Sequence, residues 1–181
     1  DNIIYALQRS GGGSVYWTEL SKRFLNIDNE ILFFEPKEKF ENIFRETLNL
    51  KNIKTESKWF LKIRRYMPFT EKIEGRYIFH SSYYRYSSNH NAINITTIHD
   101  FITEKFRKGL AREINLFQKK LAVNNSKGII CISENTKKDL LYLMPNVDEK
   151  KIRVIYNGVS EDFFNIEYEF NIADKDLRFK Q

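Results

Sequence analysis

Two stretches decide the fold: INITTIHD at residues 93–100 and GIICIS at residues 128–133. Both are short and rich in β-branched side chains, and neither alternates cleanly between apolar and polar, as expected of strands covered on both faces. Between them, about Glu104 to Val123 reads as one long helix. Phe106, Leu110, Ile114, Phe117 and Leu121 make an apolar stripe opposite Arg107, Arg112, Glu113 and Lys120. Strand, helix, strand is the unit of a parallel sheet with crossover helices.

The alternation continues outward. Ile31 to Phe34, Asn52 to Thr55, Tyr77 to His80 and Ile152 to Tyr156 read as further strands, with the two opening stretches contributing Ile93 to His99 and Gly128 to Ser133. Ser14 to Leu25 follows three glycines and carries Trp17, Leu20 and Phe24 at helical spacing. Phe40, Phe44 and Leu48 repeat at i, i+4 and i+8, predicting another helix. Ser133 is a candidate N-cap for Asn135 to Met144, which Pro145 ends. The expected class is α/β, a doubly wound, mostly parallel sheet. Lys58 to Phe69, basic and aromatic, reads as a short helix or a loop over the sheet edge, with membrane contact one reading of its composition. Asn165 to Gln181 reads as a linker.

Composition bounds the rest. The 181 residues include 15 Phe, 10 Tyr and 2 Trp, enough apolar area for one domain and too much for a disordered chain. One Cys excludes an internal disulfide. His80, His90 and His99 lack metal-ligand spacing, and no Ser sits in a nucleophile elbow. The net charge of +6 is spread along the chain, and no nucleic-acid motif accompanies it. No run approaches the roughly 18 apolar residues of a spanning helix, and no leader pattern opens the chain, so a cytoplasmic protein is expected.

In doubly wound sheets ligands bind beyond the carboxyl ends of the strands. Four loops lie there. Gly11-Gly12-Gly13-Ser14 can bring backbone N–H groups close to an anion at a helix start, or be a plain turn. His80-Ser81-Ser82-Tyr83-Tyr84-Arg85 mixes hydrogen-bonding groups and rings in the way a sugar requires, or is a surface loop. His99-Asp100 ends a buried run; neighbours on a strand point oppositely, so Asp100 is not expected to orient His99. Ser133-Glu134-Asn135-Thr136 is explained by helix capping alone.

In order along the chain, LQRSGGGSVYWTEL (7–20), IFHSSYYR (78–85), TTIHDF (96–101), GIICISENTKKDLL (128–141) and KIRVIYNGVSEDFF (151–164) resemble the N-terminal domain of nucleotide-sugar glycosyltransferases of the GT-B fold. The class they resemble is the retaining one called glycosyl transferases group 1, or family 4. The resemblance covers the chain to about Phe164 and implies a Rossmann-like domain over residues 1–164. Its usual opening strand is expected to be missing, with 165–181 leading toward an absent C-terminal donor-binding domain. It implies that Gly11, Gly12, Gly13 and Ser14 face the donor diphosphate. His99 would lie near the transferred sugar as the catalytic residue, and His80, Ser81, Tyr83, Tyr84 and Arg85 would face the acceptor. The implied reaction needs no metal or cofactor beyond the nucleotide diphosphate-sugar. A saccharide or lipid-linked acceptor is implied, with surface polysaccharide or glycolipid synthesis at the inner face of the membrane as the setting. A fragment without turnover is expected. The alternative is a non-catalytic Rossmann-like module binding a sugar or phosphate.

Overall fold

Helices and strands are interspersed along the chain, and among the described residues every strand pairing is parallel. The computed structural model describes residues 1–27, 30–37, 41–56 and 61–159; the expected linker and the boundary at Phe164 lie outside these. In order come α1 (Ile4–Leu7), α2 (Gly12–Ile27), β1 (Phe33–Pro36), β2 (Ile53–Glu56), α3 (Leu61–Arg64) and β3 (Tyr77–His80). β4 (Ala92–Ile98), α4 (Ile102–Phe106), α5 (Leu110–Asn124), β5 (Gly128–Cys131), α6 (Glu134–Leu143) and β6 (Ile152–Val154) follow. β3-β4-β5-β6 form one sheet in chain order, with Ile95 opposite Gly128 and Ile129 opposite Ile152; β1 and β2 form another. Asp1 and Asn2 run between the two sheets: Asn2 N donates to Phe34 O at 2.8 Å, and Ser82 N donates to Asp1 O at 3.0 Å.

The core follows the continuous apolar strands. Ile98, Phe101, Ile129, Cys131 and Leu140 are at most 1% exposed and pack with Val123 and Ile152. Each fully buried Ile, Leu or Phe contributes about 1.5–3 kcal/mol of transfer free energy. A second cluster joins Ile4, Tyr5 and Trp17 to Phe33 and Leu48, and Phe34, Phe69 and Phe79 form a third. In α2 the buried face is Ser14, Trp17, Thr18 and Ser21. Its hydroxyls are tolerated because they find partners: the Thr18 and Tyr5 hydroxyls lie 2.9 Å apart.

Four expectations give way. The long helix is two helices, because Gly109 takes φ +82 and ψ −167, a conformation open to glycine and not to L side chains. Its apolar stripe is not the buried face. Phe106, Leu110 and Phe117 are 78%, 75% and 62% exposed, whereas Leu116, Gln118, Lys119, Ala122 and Val123 point inward. Lys119 can do so because its ammonium donates to Glu104 Oε2 at 2.9 Å and to Asp100 O at 2.7 Å. The predicted helix around Phe44 is only a 3₁₀ turn, Arg45–Thr47, with Phe40 outside the described residues. There Asn42 Oδ1 accepts from Phe44 N and Arg45 N, both at 3.0 Å, and offers the backbone a turn in place of a helix. β1 also starts two residues later than expected, at Phe33.

In the described part of Lys58 to Phe69 the arginines are engaged. Arg64 is buried 3.5 Å from Glu56. Arg65 lies over the rings of Tyr66 and Tyr83 and donates to the Tyr83 hydroxyl.

Candidate functional site

A pocket of about 250 Å³ opens where the carboxyl ends of β3 and β4 meet the start of α2. Gly13 contributes backbone from the first turn of α2, whose N–H groups have no partners within the helix. A Cβ at Gly13 would stand 3.5 Å from Gln8 Nε2 and Ile4 Cδ1, in ordinary contact, so the helix start packs tightly here without strain. Ser14 is buried; its Oγ donates to Gly11 O at 2.9 Å and ties the glycine turn to the helix. Of the four loop residues only Gly13 lines the pocket.

From the β3 end come Ser82, Tyr83 and Tyr84. The backbone of Tyr84 is left-handed, φ +44, and its ring lies 5.0 Å from that of Tyr83. Burial pushes both phenols up, so both remain neutral donors. From the β4 end come Thr97, His99 and Asp100. Thr97 Oγ1 is 3.0 Å from His80 Nε2 and 3.5 Å from the Tyr16 hydroxyl, and the Tyr16 ring stands edge-on to His99 at 4.8 Å. A chain of contacts therefore links the two histidines through Thr97 and Tyr16. Burial holds His99 below its ordinary pKa, with Asp100 pulling it up and Lys119 adding to the lowering. It is neutral at pH 7. Asp100 accepts from Ile102 N at 3.0 Å, at the start of α4, and so serves the helix and does not hold the imidazole. The His99 carbonyl is fixed from the other side. Thr136 Oγ1 donates to it at 3.1 Å, while Ser133 Oγ caps α6 by accepting from Thr136 N.

The remaining polar wall is Thr103, Asn115 and Lys119, together with Gln8. Asn115 Oδ1 and Gln8 Nε2 are shielded from solvent yet have no hydrogen-bond partner in the protein. An unpaired buried acceptor and an unpaired buried donor each cost free energy in the protein as it stands. These residues were not expected. Thr97 stands two positions before His99, the strand spacing that shares a face. Asn115 and Lys119 are one helical turn apart, a weaker signal.

Six residues expected at the site do not line it: Gly11, Gly12, Ser14, His80, Ser81 and Arg85. His80 is packed edge-on to Trp17 at 5.1 Å, and its pKa is lowered to about 3, chiefly by burial. Ser81 is buried, donating to Asp1 Oδ2 at 3.3 Å and accepting from Tyr83 N at 3.1 Å. Arg85, 3% exposed, donates to Asp1 Oδ2 at 2.9 Å and to both Glu56 oxygens at 2.8 and 3.1 Å. Its charge is neutralised inside the fold. Gly12 is exposed beyond the pocket.

Residues 10–163 match the model of Glycosyltransferase Family 4. The chain belongs to this family. Family 4 membership agrees with parallel sheets, a glycine turn entering α2 and a pocket at the strand ends, and identifies a GT-B glycosyltransferase N-terminal domain. No curated protein matched the sequence. No described helix is long and apolar enough to cross a membrane.

Proposed function

We propose that this Family 4 domain forms the acceptor side of an enzyme that transfers a sugar from a nucleotide diphosphate-sugar to a hydroxyl with retention of anomeric configuration. The expected product is a surface polysaccharide or glycolipid made at the cytoplasmic face of a membrane. The supporting observation is a pocket into which the glycine turn, the Tyr83–Tyr84 loop and the His99 strand end converge. In the reaction the acceptor oxygen bonds to the anomeric carbon, the bond from that carbon to the diphosphate oxygen breaks, and the acceptor proton passes to the departing diphosphate.

Each wall has a part in this. Tyr83 and Tyr84 offer ring faces to the C–H face of a sugar, and Asn115 and Gln8 add amide side chains to the polar part of the lining. His99, neutral because it is buried, can accept at one nitrogen and donate at the other toward the transferred sugar. The start of α2 at Gly13 is where negative charge on the diphosphate is favoured. Lys119, the one cation of the pocket lining among the described residues, is already paired with Glu104. A diphosphate therefore needs further cationic groups, which in this reading a C-terminal domain supplies.

The test is sugar transfer by the product of the complete reading frame, with a panel of nucleotide diphosphate-sugars and saccharide or lipid-linked acceptors. Donor-dependent transfer is expected, with His99→Ala lowering turnover at least about tenfold while the melting temperature holds. The 181-residue chain alone is expected to bind acceptor weakly without turnover. Wild-type turnover in His99→Ala removes His99 from the chemistry. Saccharide binding without transfer by the full product favours a binding module.

A further inference from the structure

Of the three histidines, His99 lines the pocket. A histidine that takes part in chemistry needs its ring held in one orientation, and a hydrogen-bonded carboxylate or carbonyl ordinarily does this. His99 has no such partner. Among the described residues no hydrogen bond reaches either imidazole nitrogen, and the bond that Thr136 Oγ1 donates to His99 goes to the carbonyl. Asp100, the adjacent acid, accepts from Ile102 N at 3.0 Å, and neighbours on an extended chain point to opposite sides. Lys119 is held by Glu104 and by the Asp100 carbonyl.

The imidazole is met instead by the ring of Tyr16, with centroids 4.8 Å apart and planes at 83°, an arrangement that the ring quadrupoles favour. Tyr16 is itself fixed. It sits four residues into α2, beside Trp17, which is 5% exposed and whose Nε1 donates to Asn2 Oδ1 at 2.7 Å. The Tyr16 hydroxyl is 3.5 Å from Thr97 Oγ1, which in turn lies 3.0 Å from His80 Nε2. Trp17 stands edge-on to His80 at 5.1 Å, so two successive aromatic residues of one helix stand against the two strand-end histidines. We infer that Tyr16 is the positioning residue of His99: its ring, set perpendicular to the imidazole, fixes the plane of His99 and leaves both nitrogens available to a bound sugar. The effect on turnover rests on the transferase reading, while the orientation of the ring does not.

Two variants separate the ring from its hydroxyl. In the product of the complete reading frame, Tyr16→Leu should lower kcat about tenfold with the acceptor KM within about twofold, because a misplaced imidazole costs rate more than binding. Tyr16→Phe keeps the ring and should stay within about threefold of wild type. Titration of the histidine ring protons by nuclear magnetic resonance reads the contact without turnover. Among the described residues the titratable groups that face His99 are Asp100, Lys119, Tyr16, Tyr84 and His80, and burial is the main cause of its lowered pKa. Removing the Tyr16 ring lets water reach the imidazole, so Tyr16→Leu should raise the His99 pKa by about half a unit or more, with the exposed His90 unchanged and the Tyr16→Phe curve like wild type. An unmoved His99 titration in Tyr16→Leu overturns the inference, as does wild-type kcat in that variant beside a crippled His99→Ala. Equal impairment of Tyr16→Phe and Tyr16→Leu also overturns it, because the hydroxyl would then be the acting group. If His99→Ala turns over as wild type does, the catalytic reading of His99 fails and the titration alone decides whether Tyr16 holds the ring.

Discussion

Replacing Arg85 with Met separates a buried structural cation from a sugar-binding one. The Arg85 side chain is 2% exposed and makes three short charge-assisted contacts, to Asp1 Oδ2 and to both Glu56 oxygens, besides donating from Nε to Met67 O at 3.1 Å. Met fills much of the same volume, so the loss is electrostatic: two buried carboxylates are left facing each other without their shared cation. Breaking a buried pair in this way costs about 3–5 kcal/mol. Arg64, 3.5 Å from Glu56, stays behind and offsets part of the charge, which places Arg85→Met near the lower bound. A chain of this size loses about 2–4 °C per kcal/mol, so the midpoint should fall by about 6–12 °C. Circular dichroism melts measure it. Adding Glu56→Gln should recover part of the loss, giving a favourable coupling in the double-mutant cycle. A midpoint within about 1 °C of wild type combined with weakened saccharide binding would refute this reasoning and return Arg85 to the acceptor site.

Acid should loosen the fold before the carboxylates titrate. Burial lowers the His80 pKa from 6.5 to about 3, so the unfolded chain binds the extra proton first, and stability falls as pH drops from about 6.5 toward 3. Urea titrations should show a loss of about 2 kcal/mol from His80 by pH 5, and His80→Gln should flatten that slope; an equal slope in the variant counts against it. Gly109→Ala should destabilise by about 1 kcal/mol or more because of its positive φ. A continuous helix would instead gain from the same change, so a raised melting temperature means that α4 and α5 are one helix.

The parallel α/β arrangement was legible because β3, β4 and β5 are short runs whose composition already suits a sheet covered on both faces. Gly109 was hidden by the spacing of Phe106 and Leu110, which keeps a helical period across the break. Periodicity also shows that a helix has an apolar face without showing what covers it. On α5 the inward face is decided by Lys119, whose partner Glu104 lies 15 residues earlier, and by Gln118, which donates to Arg65 O 53 residues away. The same distance effect governs the site. Gly13, Tyr83, Tyr84 and His99 follow from the rule that ligands sit at strand ends. Arg85 has the look of a ligand group in its loop because Glu56, which neutralises it, is 29 residues upstream. Asn115 and Lys119 enter the pocket only because the chain turns at Gly109 and brings α5 back over the sheet.

Cys131 gives the core a chemical clock. It is the chain's single cysteine, fully buried on β5 between Ile98 of β4 and Val154 of β6, and burial pushes its thiol up to about 11. A thiol so placed reacts with an alkylating reagent only when the sheet opens around it. The labelling rate of the native protein therefore counts openings of its most protected strands, with no probe added and no second thiol to confuse the signal.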